Sequence, residues 1–342
     1  MSSNKESERN KDLMEKEKNP KAKDLTRDDA VVKNYQSQTE IHSQPGEVEP
    51  EGMDVKTIVP EKRKSQWAEV WKRLIRNKAA IAGMIVILIL ILTAIFADFI
   101  APYHYSDQNL DNVRAAPSSD HWFGTDNFGR DIFSRVVYGS RISIQVGFIA
   151  VGVAIVVGGI LGSVAGYYSG RIDNVIMRLM DVLLAIPGIL LAIAIAAALG
   201  PGLVNVMIAV GIASIPRYAR IVRASVLSLR DQEFVEAARA VGANDFRIIT
   251  KYILPNCMAP IIVQGTLGVA EAILSAAGLS FIGLGIQPPI PEWGAMLSTA
   301  RVYIRDAWWM SIFPGLAIMI TIFGLNLLGD GLRDALDPRL KS

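Results

Sequence analysis

Few residues in this 342-residue chain have the type and spacing to do chemistry. Asn174, Arg178 and Asp181 fall at i, i+4 and i+7, which places them along one face of a helix. Two readings stand for them: a gate or polar lining on a translocation path, or an ion pair at a membrane boundary. Glu271 is an acid inside a long apolar run. Intramembrane charges are costly and usually face a cavity or a partner, so Glu271 is a second candidate for a path. Asp126 and Asp131 sit in "GTDNFGRD". Their spacing does not fit a calcium-binding EF-hand loop, and a rigid turn carrying a docking surface suits them better. His42, His104 and His121 form no HExxH pattern and read as surface or loop histidines. The single cysteine, Cys257, excludes an intramolecular disulfide and a Cys-rich metal site. No glycine is followed by lysine, so a P-loop is absent and ATP is not expected to bind here. No nucleophile–base pair, metal site or cofactor is expected, hence no catalytic residue. A net charge of +2 without a basic aromatic-laced patch argues against nucleic acid.

The elements that must position these residues are apolar helices. The chain is 51% hydrophobic with mean hydropathy +0.31, too apolar for an ordinary soluble protein of this size. Charge is uneven: residues 1–78 hold 17 of the 35 Lys and Arg, and only Lys251 and Lys341 follow among the lysines. About 20 apolar residues cross a bilayer as a helix. Six such runs are read, at about 79–100, 142–166, 182–199, 203–222, 258–281 and 307–328, giving an all-α integral membrane domain over 66–342. Gly200-Pro201-Gly202 separates the third from the fourth, and Pro187-Gly188 should kink the third. Trp293, Trp308 and Trp309 suit an outer-interface aromatic belt. Residues 1–65 are polar, with too little apolar surface to offset chain entropy, and read as a disordered tail. Seven Lys and Arg between Lys62 and Lys78 crowd the first span, which argues for a cytoplasmic N-terminus. Six spans then place the C-terminus and the arginine-rich segment between spans four and five on the same side.

That segment contains "EFVEAARAVGANDFRIITKYILPN", residues 233–256. Its first half is rich in helix formers. Gly242 suits the position just past a helix end, where φ is positive. Asn244 or Asp245 can cap a second helix from about Phe246 to Ile253, which Pro255 should stop. Ala237, Ala238 and Ala240 offer a smooth surface for close approach of another backbone. Phe234, Phe246, Ile248 and Ile249 offer apolar anchors. On pattern alone, a docking knob and a helix pair resting on lipid stand equal.

The stretch resembles the EAA loop of the permease subunits of ABC importers. Glu236, Ala237, Ala238, Gly242, Leu254 and Pro255 match at the loop's spacing, with Tyr252 where the pattern has Ile. "HWFGTDNFGRDIFSRVVYGSRIS", "LSFIGLGIQPPIPEWGAML" and "GDGLRDALDPRL" are similar to the C-type permease of oligopeptide, dipeptide and nickel importers, from about residue 70 onward. The resemblance implies a non-catalytic subunit of the plasma or inner membrane that moves cargo, with peptides first, oligopeptides ahead of dipeptides, and nickel or another small solute as the alternative. It also implies four kinds of partner: a homologous second permease, two ATPase subunits that bind ATP and Mg, an extracytoplasmic substrate-binding protein, and membrane lipid.

The topology is testable in a Cys257→Ala background. Ser118→Cys should react with a membrane-impermeant thiol reagent in intact cells, and Ser228→Cys only after permeabilisation. The reverse pattern would invert the orientation.

Overall fold

A computed structural model describes residues 66–336, so the tail read over residues 1–65 lies outside the described residues. All elements are helical: α1 (Gln66–Leu74), α2 (Lys78–Ile95), α3 (Ala97–Ile100), α4 (Ile132–Tyr168), α5 (Gly170–Leu184), α6 (Gly188–Leu199), α7 (Leu203–Leu229), α8 (Glu233–Ala240), α9 (Asp245–Phe281), α10 (Trp293–Ala300) and α11 (Trp309–Leu336). Among the described residues there is no strand, only an isolated bridge between Thr125 and Asp131. Four helices, α2, α4, α9 and α11, are long and apolar enough to cross a membrane. The third span is bent at Pro187-Gly188, as expected there: α5 and α6 meet at 88°, broken at Ala185–Pro187, and count as one further span if taken together. The cause is local, because Pro187 has no N–H to donate and starts a new helix instead of continuing the old one. The expected fourth span lies within α7, which is not among the four and carries Arg217, Arg220 and Arg223.

Capping sets where these helices begin. Asn77 accepts hydrogen bonds from the Ala79 and Ala80 amides and starts α2. Asp131 accepts from the Ser134 amide at 2.7 Å, so α4 starts at Ile132, ten residues before the expected apolar run at 142. The Gly200–Gly202 turn follows α6 with φ of 83° and 152°, and the Gly202 amide donates to the Gly285 carbonyl at 3.1 Å.

The bundle is built on small residues. On α4, Gly158, Gly162 and Gly166 recur every four residues and form one stripe. Each lies against main-chain atoms of α7: a Cβ there would sit 2.8 Å from the Ile215 oxygen, 2.4 Å from the Ala219 oxygen and 2.9 Å from the Arg223 oxygen. Without a hydrophobic drive between helices in lipid, such close van der Waals approach is what holds them. The same device joins α2 to α11, where Gly83 faces the Gly324 oxygen and Gly331 faces Ala80. The tightest core gathers Val146, Ala150, Ala154, Val206, Val210 and Ala272 from α4, α7 and α9.

Two of the three tryptophans assigned to an interface belt are core residues. Trp293 and Trp309 are buried, and their indole N–H groups donate to the Val136 carbonyl at 3.0 Å and the Thr125 carbonyl at 3.2 Å. Only Trp308 is exposed. A buried indole needs an acceptor for its N–H, and α4 and the 98–131 loop supply one each. His121, read as a surface or loop histidine, lies in a loop but is buried, with Nδ1 3.0 Å from Asp131.

Gly162→Val should force α4 and α7 apart, since overpacking costs about 1–3 kcal/mol. The expected outcome is a lower apparent Tm and less protein in the membrane. Gly159→Ala, where a Cβ meets nothing within 4 Å, should match wild type in both. Equal behaviour of the two variants would remove the stripe from the account.

Candidate functional site

The connection between α7 and α9 is built as a fixed knob. Glu233–Ala240 forms α8, which ends where Gly242 adopts φ of 80°. The Ala243 amide donates to the Ala238 carbonyl at 3.1 Å and the Gly242 amide to the Arg239 carbonyl at 2.9 Å. This is the Schellman pattern that a glycine past a helix end permits. Asn244, rather than Asp245, caps the next helix by accepting from the Arg247 amide at 2.9 Å. The Gly242 turn and one of the two proposed caps are therefore as the sequence predicts.

The second helix does not stop at Pro255. It is the start of α9, which runs on through a π-helical segment, Ile248–Ile253, and a 3₁₀ turn, Leu254–Cys257, into its apolar length from Met258. Proline clashes with the carbonyl four residues back only in regular α geometry. The wider and then tighter turns, with Pro255 near the start of the 3₁₀ turn, avoid that clash. The smooth alanine face is also revised. Ala238 points inward with Val235, against Val226, Ile248, Ile253 and Cys257, while Glu236, Ala237 and Gly242 are exposed. Of the four expected anchors, Ile248 is fully buried and Ile249 half-buried, whereas Phe246 is 76% and Phe234 37% exposed. Val241, not singled out in the sequence, is 81% exposed beside them. Leu254 is half-buried and Pro255 exposed.

The knob is pinned to the end of α4. Tyr167 donates its hydroxyl to Asp245 Oδ1 at 2.7 Å, and the Arg239 guanidinium lies 5.5 Å from the Tyr167 ring centroid. Arg230, just past α7, donates to the Gly166 carbonyl at 3.3 Å and to the Ser169 hydroxyl.

Above the knob, α7 carries three arginines three residues apart, each paired with an acid on another helix. Arg223 grips Asp173 of α5 with two nitrogens, at 2.5 and 2.6 Å. Arg220 bonds Asp181 of α5 at 2.6 Å, and Arg217 bonds Glu271 of α9. Of Asn174, Arg178 and Asp181, Asp181 is drawn to Arg220 of α7, while Asn174 and Arg178 lie exposed on α5. Asp173, buried and held by Arg223, is the acid that sequence reasoning passed over. The signal was present in the regular arginine spacing, which calls for acids on whatever packs beside it. Glu271 and Arg217 line a cavity of about 650 Å³ between the α5–α6 bend, α7 and α9.

At the other end, Asp126 accepts from the Phe128 and Arg130 amides and pairs with the Arg130 guanidinium at 2.7 Å. Asp126 and Asp131 are thus engaged in a rigid turn.

Residues 133–342 match the family described as binding-protein-dependent transport system inner membrane component. Residues 65–117 match the N-terminal transmembrane domain of oligopeptide transport permease C. The dipeptide transport system permease protein DppC of Alkalihalophilus pseudofirmus is 54% identical over 278 residues, covering 81% of this chain and 91% of its own. The di/tripeptide transport system permease protein DppC of Pseudomonas aeruginosa is 46% identical over 280 residues, covering 80% and 92%. The glutathione transport system permease protein GsiD of Escherichia coli O157:H7 is 50% identical over 285 residues, covering 83% and 94%. A chain of the MetNI methionine ABC transporter, solved in inward-facing conformations, matches with a TM-score of 0.50 and 18% identity over 59% of this chain and 96% of its own. That match concerns the fold alone.

The buried and exposed pairs of the arginine row should separate on mutation. Arg223→Ala leaves the Asp173 carboxylate without its partner and should cost about 3 kcal/mol. Asp181→Asn breaks a half-exposed pair and should cost less than about 1 kcal/mol. Thermal unfolding of the purified protein in detergent reads the difference, and equal shifts would contradict it.

Proposed function

The chain belongs to the inner-membrane components of binding-protein-dependent transport systems, and we propose that it is the permease subunit of an ATP-driven importer of short peptides. The observation that carries the mechanism is the exposed turn at Gly242, presented on a helix pair pinned to both α4 and α7. Glu236, Ala237, Ala238, Gly242, Leu254 and Pro255 form the coupling element. Glu236, Ala237 and Gly242 face the dock, while Ala238 and Leu254 hold the knob together from within. The exposed Phe234, Val241 and Phe246 supply the apolar contact that an ATPase groove would bury.

In this reading two ATPase subunits bind ATP and Mg on the cytoplasmic side, where both termini of this chain also lie. A homologous permease completes the path, and an extracytoplasmic binding protein delivers cargo. ATP-driven closure pushes on the knob; α7, α4 and α9 receive the motion directly because the knob is continuous or bonded with all three. The path runs along the cavity bearing Glu271 and Arg217. The relatives' names speak of dipeptides, tripeptides and glutathione, which favours short peptides over the longer ones ranked first from the sequence.

Gly242→Asp tests the coupling. A Cβ at Gly242 meets nothing within 4 Å inside this chain. Positive φ alone therefore sets the intramolecular cost of a side chain, about 1–2 kcal/mol, and Gly242→Ala suffers it as well. Gly242→Ala should retain at least half of wild-type uptake of a labelled dipeptide. Gly242→Asp should fall below a tenth at equal abundance, because its carboxylate obstructs a close dock. Wild-type uptake by Gly242→Asp would remove the coupling role.

A further inference from the structure

Of the three pairs in the arginine row, one differs in kind. The Asp173 and Asp181 pairs tie α7 to α5. Arg217 and Glu271 instead meet on the wall of the 650 Å³ cavity, with side chains 49% and 61% exposed. That volume lies within the range of about 300–1,000 Å³ of small-ligand sites. The rest of the wall is mostly apolar or small, including Gly188, Ile189, Leu274 and Ser275. The pair's exposure is close to that of the Arg220–Asp181 pair, so its place on the cavity wall sets it apart, and an exposed pair holds weakly and yields to an incoming charge.

The cavity also has a polarity. Gly188 and Ile189 begin α6, just past the 88° break, and line the same cavity as Arg217 and Glu271. The first amides of a helix have no acceptors within it and carry its positive dipole end. Broken membrane helices present such ends to anionic groups. Arg217 thus favours a carboxylate, the start of α6 adds a positive dipole end to the same cavity, and Glu271 favours an ammonium group. A free dipeptide carries both charges, with ends within about 7 Å of each other when extended.

We propose that Arg217 and Glu271 read the two charged ends of the cargo, the peptide α-carboxylate at Arg217 and the α-ammonium at Glu271, and that their own pairing is the closed state that a zwitterionic cargo opens. This rests on the peptide-import reading above. The apolar wall then meets the side chains between the termini without selecting among them.

The full importer, with its paired permease, ATPases and binding protein, is assayed for uptake of labelled dialanine. Arg217→Gln and Glu271→Gln should each lower uptake at least tenfold, with normal membrane abundance and ATPase co-purification. The double exchange Arg217→Glu with Glu271→Arg restores a salt bridge but exchanges the places of the two charges within the cavity, so uptake should stay at least tenfold down. Recovery to within twofold of wild type would make the pair a mere lock and overturn the proposal, as would unchanged uptake in both single variants. If any variant is poorly inserted, Arg217→Lys and Glu271→Asp, which keep each charge in place, should retain at least a third of wild-type uptake; loss of both would overturn charge reading. Absence of dialanine uptake by the wild-type importer, with uptake of another solute, would instead remove the peptide reading itself.

Discussion

Three guanidinium groups on one membrane-length helix impose the condition that the rest of the molecule meets. A charge held away from bulk water must find its opposite, and α7 offers one every three residues. Consecutive members of such a row turn by about 60° around the helix, so the acids must come from more than one neighbour. The short helix α5 returns along α7 to supply Asp173 and Asp181, and α9 supplies Glu271. Satisfying the lower two pairs commits α5 to lie against α7. The chain then turns sharply at Pro187 to send α6 in a new direction. The bend at Pro187 then leaves the cavity beside the third pair.

The knob depends on the same helix. Because α7 runs into Arg230 and then α8 with only a short link, whatever fixes α7 fixes the knob. Arg230 and Tyr167 add bonds to the end of α4, and the buried cluster of Val226, Val235, Ala238, Ile248, Ile253 and Cys257 closes the space between. The exposed turn is therefore tied through these contacts to the ends of α4 and α7.

What the sequence disclosed, it disclosed through local stereochemistry. Gly242 announces a helix end because few other residues tolerate its φ, Asn244 announces a cap, and Pro187 announces a break. What it concealed depends on partners distant in the chain. Nothing near Asp173 indicates Arg223, 50 residues away. Nothing near Trp293 indicates that α4 will offer it the Val136 carbonyl in place of a lipid headgroup. Pro255 misled for a subtler reason: its local rule holds for regular α geometry, and the chain changed geometry around it. The direction in which Ala238 and Ile248 face was set by the cluster beneath them, which no residue within α8 specifies.

The glycine stripe of α4 distributes its demands unequally between the two helices it joins. On α4 the three positions are defined by what they lack. On α7, Ile215, Ala219 and Arg223 take part through their carbonyl oxygens, which leaves these three side chains for other employment, while Tyr218, Val222 and Val226 meet the glycines with side-chain atoms. Arg223 illustrates the division: its oxygen faces Gly166 on one helix while its guanidinium holds Asp173 on another. Substitution at position 223 is thus invisible to the α4 contact and decisive for the α5 contact, whereas substitution at Gly166 is the reverse. One helix turn carries two separable specifications, and sequence drift can rewrite the electrostatic one without touching the steric one.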